Sequence, residues 1–257
     1  MSSVLVAFSG GVDSTLLLKA ASDVLGEGVV AITAESPTRP RREIDRAKET
    51  ASAFGVRHII IESDELKDDG ILNNTVERCY LCKKRIFSRL LEIAGENGIA
   101  FVAEGSNMDD LNQFRPGKKA LEELEIRSPL REAGLAKNDV RGISEELGLE
   151  NWNAPSQSCF LTRFPYNTKV DVQELEKVQR AEEFLSELGF REVRVRVPGD
   201  SVRIEVSREQ TGLLADPGIS RLIRYRLRGL GYPLAVFDPE GYRSGSMDEG
   251  MIWTKKE

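Results

Sequence analysis

The stretch Val4-Leu5-Val6-Ala7-Phe8-Ser9-Gly10-Gly11-Val12-Asp13-Ser14 decides how this chain folds. Residues 4–8 are a short continuous apolar run, the pattern of a strand covered on both faces. Beyond the turn, Leu16, Leu17, Leu18 and Leu25 mark a helix. Two adjacent glycines between them permit backbone angles and a closeness of approach that side chains forbid. The helix start offers unpaired amides and the positive end of its dipole to an anion, and Ser9 and Ser14 add hydroxyl donors. Strand, glycine turn and helix in that order describe a phosphate-binding loop better than a merely capped helix, although Ser and Asp are common caps. No Gly-Lys-Ser/Thr closes the loop, so it is not of the Walker type.

Outward from the loop, short apolar runs alternate with helical patterns. Residues 29–33, 58–61 and 100–103 read as strands, and 41–54 and 84–96 as helices. This alternation predicts βαβ units, an α/β fold with a parallel sheet and ligands at the carboxyl ends of its strands. Helices follow at 137–147 and 172–188. The pattern then changes: 193–197 and 202–206 alternate apolar with charged residues around Pro198-Gly199-Asp200, which predicts a β-hairpin. A basic helix at 220–228 and a short run at 233–237 complete a smaller α+β region. The expected boundary is the loop Phe164-Pro165-Tyr166-Asn167, with a nucleotide domain over 1–165 and a substrate and oligomerisation domain over 166–257. The tail Lys255-Lys256-Glu257 is expected to fray.

A chain of 257 residues with 40% hydrophobic content can bury a substantial core. Its net charge of -6 does not favour a polyanionic nucleic acid partner. No apolar run approaches the ~18 residues of a membrane-spanning helix, and Met1 to Gly11 reads as a first strand rather than a leader, so a cytoplasmic address is expected. The three cysteines, Cys79, Cys82 and Cys159, are an odd number in a reducing compartment, which points to metal binding or catalysis rather than disulfides. Cys79-Tyr80-Leu81-Cys82 places two thiols on one predicted loop. Zinc sites, redox couples and iron–sulfur clusters all use such a pair, and unrelated buried thiols are the plainer alternative. Three thiolates without a fourth suit a cluster with one open coordination position. Basic neighbours Lys83, Lys84, Arg85 and Arg163 favour the thiolate form. The one histidine, His58, lies on a strand and reads as a packed side chain.

The segment Ser9-Gly10-Gly11-Val12-Asp13-Ser14 resembles the SGGxDS signature of the PP-loop ATP pyrophosphatases, the adenine nucleotide alpha hydrolase-like enzymes. That resemblance implies that Ser9, Gly10, Gly11 and Ser14 cradle the pyrophosphate of ATP and that Asp13 meets Mg2+ directly or through water. It places Ala34, at the end of the second strand, and Gly105, in Glu104-Gly105-Ser106-Asn107, beside the nucleoside. Further stretches are similar to one branch, the LarE family of ATP-dependent sulfur transferases that build the nickel-pincer nucleotide of lactate racemase. They are Ser36-Pro37-Thr38-Arg39-Pro40-Arg41-Arg42-Glu43, Arg78-Cys79-Tyr80-Leu81-Cys82-Lys83, Gly105 to Leu111, Arg115-Pro116-Gly117, Ser128-Pro129-Leu130-Arg131-Glu132-Ala133-Gly134-Leu135, and Cys159 to Tyr166, in the loop that begins Pro155-Ser156-Gln157-Ser158. The implied substrate is pyridinium-3,5-biscarboxylic acid mononucleotide, whose carboxylates become thiocarboxylates through an acyl-adenylate. In part of that family Cys159 corresponds to a cysteine that is sacrificed. Members with three cysteines hold a 4Fe-4S cluster, and the set Cys79, Cys82 and Cys159 implies that version, with a separate sulfide donor. Arg194 and Arg196 match substrate-phosphate positions and Arg163 lies in the cysteine loop, all suited to bidentate oxyanion recognition. Glu183 and Glu205 are implied as an auxiliary cation site, and a homo-oligomer is implied for the assembly.

Three other readings compete. A tRNA thiolase combines the same loop with three cysteines, but the acidic charge and absence of an RNA-binding extension weigh against it. An amidotransferase-type ligase needs a glutaminase domain, and a nucleotide sensor has no use for three cysteines.

Overall fold

The structure, a computed structural model, describes residues 2–112, 116–155, 157–199, 201–243, 245 and 247. Arg115, Ser156, Asp200 and the tail 255–257, named above, lie outside the described residues. The chain packs as two compact units, Met1–Gln157 and Ser158–Glu257.

In the first unit, β1 (Val4–Ala7), β2 (Val29–Glu35), β3 (Arg57–Glu62) and β4 (Phe101–Ala103) form a parallel sheet in the order β3-β2-β1-β4. The helices are α1 (Val12–Leu25), α2 (Arg41–Ala53), α3 (Asp69–Leu72), α4 (Arg78–Glu96), α5 (Gly117–Glu123), α6 (Pro129–Glu132) and α7 (Lys137–Glu146). Successive strand side chains point to opposite faces, so Val4 and Val6 enter one core while Leu5 enters another. The first core takes Leu16, Leu17 and Leu18 of α1, Ala47 and Ala51 of α2 and Val140 of α7. The second takes Phe87, Leu90 and Ile93 of α4 and Leu121 of α5. Helices on both faces explain why β1 reads as an unbroken apolar run. The strand order reverses at β1, which lies between β2 and β4. The glycine turn therefore leaves the sheet at its switch point, where an open α/β sheet has its crevice.

One element departs from expectation. The helix expected at 84–96 begins at Arg78, so Cys79 and Cys82 stand in the first two turns of α4 and not on a loop. Cys-Tyr-Leu-Cys-Lys-Lys holds no Gly or Pro to stop a helix, and the Leu81 amide already donates to Glu77 O at 3.0 Å.

In the second unit, β5 (Arg194–Arg196) and β6 (Ser201–Glu205) pair antiparallel and β7 (Leu234–Phe237) lies parallel to β6. The expected strand pairing is present, and the run at 233–237 supplies the third strand. Among the described residues, the α-helices of this unit are α8 (Val172–Glu187) and α9 (Pro217–Gly229). Each is capped by an aspartate: Asp171 accepts from the Gln173 amide, and Asp216 accepts from those of Gly218 and Ile219. Leu175, Val178 and Leu185 of α8 and Val195, Val202 and Ile204 of the sheet are buried. Among the described residues, no helix is long and apolar enough to cross a membrane.

Candidate active site

Gly10 has φ +74, and a Cβ there would meet Glu43 O at 3.2 Å and the Ala47 amide nitrogen at 3.4 Å. Both the backbone angle and the closeness of α2 require glycine. Gly11 is the N-cap of α1 in extended conformation, and no side chain caps this helix. Ser14 Oγ donates to Gly11 O at 3.0 Å and lies 3.1 Å from Ser9 Oγ, so both hydroxyls line the turn. Behind it, Asn151 donates to Gly10 O at 3.0 Å and to Thr15 Oγ1 at 2.9 Å.

Asp13 lies in the first turn of α1. Its Oδ1 accepts from Asn107 Nδ2 at 2.9 Å and its Oδ2 from Lys137 Nζ at 2.5 Å. Gly105 presses against this turn: a Cβ would stand 3.0 Å from the Ser14 amide nitrogen and 3.1 Å from the Asp13 carbonyl carbon. Neither atom belongs to a flexible side chain. Gly105→Ala is therefore expected to displace the first turn of α1 and weaken nucleotide binding about tenfold or more, with a loss of about 1–3 kcal/mol in stability. Isothermal titration with an ATP analogue, alongside a melting curve, checks both. Next to Gly105, buried Glu104 accepts from Ser106 Oγ at 2.8 Å and Ser128 Oγ at 2.6 Å, and Lys83 Nζ lies 3.9 Å away.

At the end of β2, Thr33 Oγ1 donates to Phe8 O at 2.7 Å, so it accepts from His58 Nε2 at 2.8 Å and the imidazole carries its proton there. Ala34, the next residue, is half-exposed and pairs with Ile61 of β3. Beyond it, buried Glu65 accepts from Ser36 Oγ and, at 3.2 Å, from Thr38 Oγ1, pinning the loop after β2. Burial first, and then the charge of Lys48, lower the His58 pKa from its ordinary 6.5. The unfolded chain then binds a proton that the folded one refuses. Stability from this group is full above about 6.5 and falls as the solution is acidified towards the lower folded value. Melting temperatures at neutral and mildly acidic pH should diverge less in His58→Gln than in the parent.

In the second unit, Cys159 is half-buried and precedes the short turn Phe160–Arg163. The Arg163 side chain is fully buried and binds Glu182 with two bonds, at 2.8 and 3.0 Å, while its Nη1 donates to Ser158 Oγ at 2.7 Å. Arg194 is 2% exposed and lies 4.7 Å from the centre of the Tyr242 ring. Arg196 donates to Glu205 Oε2 at 3.1 and 3.0 Å and to Thr162 O at 2.7 Å. Arg163 and Arg196 thus each bind a buried carboxylate, Glu182 and Glu205, and buried Arg194 adds a further positive charge to the cluster. Burial, and then the charge of Arg163, push the Arg194 pKa below its usual range. These arginines are structural anchors of the small sheet as well as a cationic centre. Glu205 also accepts from Arg203 at 3.0 Å, and Glu183 from Gln179 at 2.8 Å.

Residues 3–150 match the family model of the arginosuccinate synthase N-terminal HUP domain. Over its near-full length the chain is 41% identical to pyridinium-3,5-bisthiocarboxylic acid mononucleotide synthase of Lactiplantibacillus plantarum, covering 96% of this chain and 90% of that protein. The chain belongs to the LarE family. An uncharacterized protein of Synechocystis is 40% identical, over 95% of this chain and 91% of its own length. An argininosuccinate synthase of Pyrococcus furiosus is 28% identical, over 52% of this chain and 36% of its own. The last match is partial where the LarE-family match spans both units.

Within this LarE-family chain, Cys79 is exposed and Cys82 half-buried, one helical turn apart at the start of α4, and no disulfide joins the three cysteines. A cluster's thiolate donors are present, and two thiols three residues apart on a helix are neighbours that fit two adjacent ligand positions. Among the described residues, however, no group of three or more His, Cys, Asp or Glu side chains is placed to hold a metal. The expected basic neighbours are drawn elsewhere. Lys84 binds Glu123 at 2.5 Å, Arg85 binds Asp64 at 2.5 Å and holds its carboxyl at about 2, and Arg163 binds Glu182. Lys83 links this turn, through Glu104, to Gly105 and the glycine loop.

Lys137 and Asn151 escaped the sequence reading. They reach Asp13 and Gly10 across 124 and 141 residues, and neither stands in a recognisable motif.

Proposed function

We propose that this LarE-family chain is an ATP-dependent sulfur transferase that acts on pyridinium-3,5-biscarboxylic acid mononucleotide. The observation that carries the reading is the 41% identity, over nearly the whole of both chains, to a synthase of the corresponding bisthiocarboxylic acid. The uncapped helix start behind Gly10 and Gly11 supports it, as a seat for the pyrophosphate of ATP. A substrate carboxylate oxygen attacks the α-phosphorus and pyrophosphate leaves. A sulfur nucleophile then attacks the acyl carbon and AMP departs with the former carboxylate oxygen. The sequence repeats on the second carboxylate. The protein's tasks are positioning and stabilising the charge that develops.

Ser9, Gly10, Gly11 and Ser14 take the pyrophosphate in this reading, Asp13 the magnesium ion, and Ala34 and Gly105 flank the nucleoside. Arg194, Arg196 and Arg163 provide the positive field for the substrate phosphate. Cys79, Cys82 and Cys159 would hold a 4Fe-4S cluster, whose chemistry would be to supply sulfide-level sulfur obtained from an external sulfide donor. In a second reading, Cys159 alone surrenders its sulfur. The test is to incubate the protein with ATP, Mg2+ and the biscarboxylic mononucleotide under anaerobic conditions. Substrate-dependent AMP and pyrophosphate, with oxygen replaced by sulfur in the nucleotide's mass, is the expected result. ATP cleavage without sulfur in the product would refute the transferase reading.

A further inference from the structure

We propose that Lys137 is a second cation of the nucleotide site, paired with Asp13 and passed to the phosphate chain when a magnesium ion takes that carboxylate. The inference rests on the ATP-binding part of the function proposed above, not on the sulfur chemistry. Lys137 opens α7, and its backbone amide is fixed by Asp109 Oδ2 at 3.0 Å. Only its flexible stem is left to move, and its ammonium meets Asp13 Oδ2 at 2.5 Å in the first turn of α1. Both side chains are 25% exposed, so the pair borders solvent and is not locked in a core. Pairs this open contribute little to stability, which leaves their placement beside an anion-binding turn to be explained by function.

The oxygens of Asp13 are already engaged, one by Asn107 and one by Lys137. One carboxylate together with phosphates is a usual Mg2+ arrangement, and here it requires the Lys137 ammonium to leave Oδ2. The displaced charge stands at the same helix N-terminus that collects the triphosphate, with a long stem and a compact ammonium suited to a phosphate oxygen. Before that exchange, Lys137 neutralises a carboxylate that otherwise repels the incoming polyanion.

Titration of the full chain with α,β-methylene-ATP in magnesium chloride tests this without any sulfur transfer. Lys137→Met is expected to bind about tenfold more weakly, the loss of one charge-assisted contact, while Lys137→Arg stays within about threefold. The deciding comparison is made in Asp13→Asn. If Lys137 meets phosphate, adding K137M to D13N weakens binding further. If Lys137 serves Asp13 alone, K137M changes nothing in the D13N background, and the proposal is overturned. K137M binding within about twofold of the parent overturns it as well. Lys137→Gln, read with melting curves, stands in should K137M fail to fold. A parent protein that does not bind the analogue overturns the ATP reading itself and this proposal with it.

Discussion

Asp13→Ala is expected to lower substrate-dependent ATP cleavage by about a thousandfold while leaving the fold intact. The size follows from what Asp13 does in the proposed reaction. Pyrophosphate departs with a developing charge that a bound magnesium ion offsets, and removal of a single preorganised partner of such charge costs about 10²–10³ in rate. The loss of stability is small by contrast. The Asp13–Lys137 pair is a quarter exposed, in the class that contributes about 0–1 kcal/mol. Gly10 and Gly11, which shape the turn, and Asn151, which holds it, are untouched by the change. A melting temperature near that of the parent, together with lost pyrophosphate release in a coupled assay, is the predicted pair of results. Normal adenylation in D13A removes Asp13 from the site.

The second large effect concerns the thiols. Cys159→Ala is expected to abolish thiocarboxylate formation, because both sulfur routes need this residue. Cys79→Ala then separates the routes. On the cluster route it removes bound iron, acid-labile sulfide, the brown colour of anaerobic protein and multiple turnover. On the sacrificial route the Cys159 sulfur attacks the acyl carbon and AMP leaves. Loss of the Cα proton then breaks the Cβ–S bond, leaving dehydroalanine and one thiocarboxylate per chain. C79A that keeps full activity while Cys159 loses its sulfur, seen by mass spectrometry of the intact protein, excludes the cluster. The same variant inactive and iron-free, with Cys159 unchanged, excludes sacrifice.

The nucleotide half of the chain was legible because its signals are local. An apolar strand, two glycines and a leucine-rich helix lie within about twenty residues, and their order dictates a switch-point loop. Gly105 was named from the resemblance of its loop, two residues beyond β4, and its contact with the first turn of α1 is visible only in the structure. The start of α4 was not: Cys-Tyr-Leu-Cys is too short to show a helical period before α5 packs on it, and Gly117 comes so close that a Cβ would meet Cys79 O at 3.1 Å. The arginines show a deeper limit. Alternation on a short strand placed Arg194 and Arg196 on one face but could not say that the face is buried. The carboxylates of that cluster, Glu182 on α8 and Glu205 on β6, belong to other elements, and no local pattern announces the pairing. Lys137 illustrates the extreme, a side chain with no motif whose meaning comes entirely from the tertiary contact with Asp13.

The central claim is that ATP activates a carboxylate oxygen of the substrate, and the path of that oxygen tests it most directly. The biscarboxylic mononucleotide is prepared with the heavy oxygen isotope in its carboxylates and turned over once in ordinary water. The account predicts one heavy oxygen in the phosphate of each AMP formed and none in pyrophosphate. Unlabelled AMP beside a sulfur-containing product contradicts it, because the carboxylate would then have lost its oxygen by a route that never passed through an acyl-adenylate.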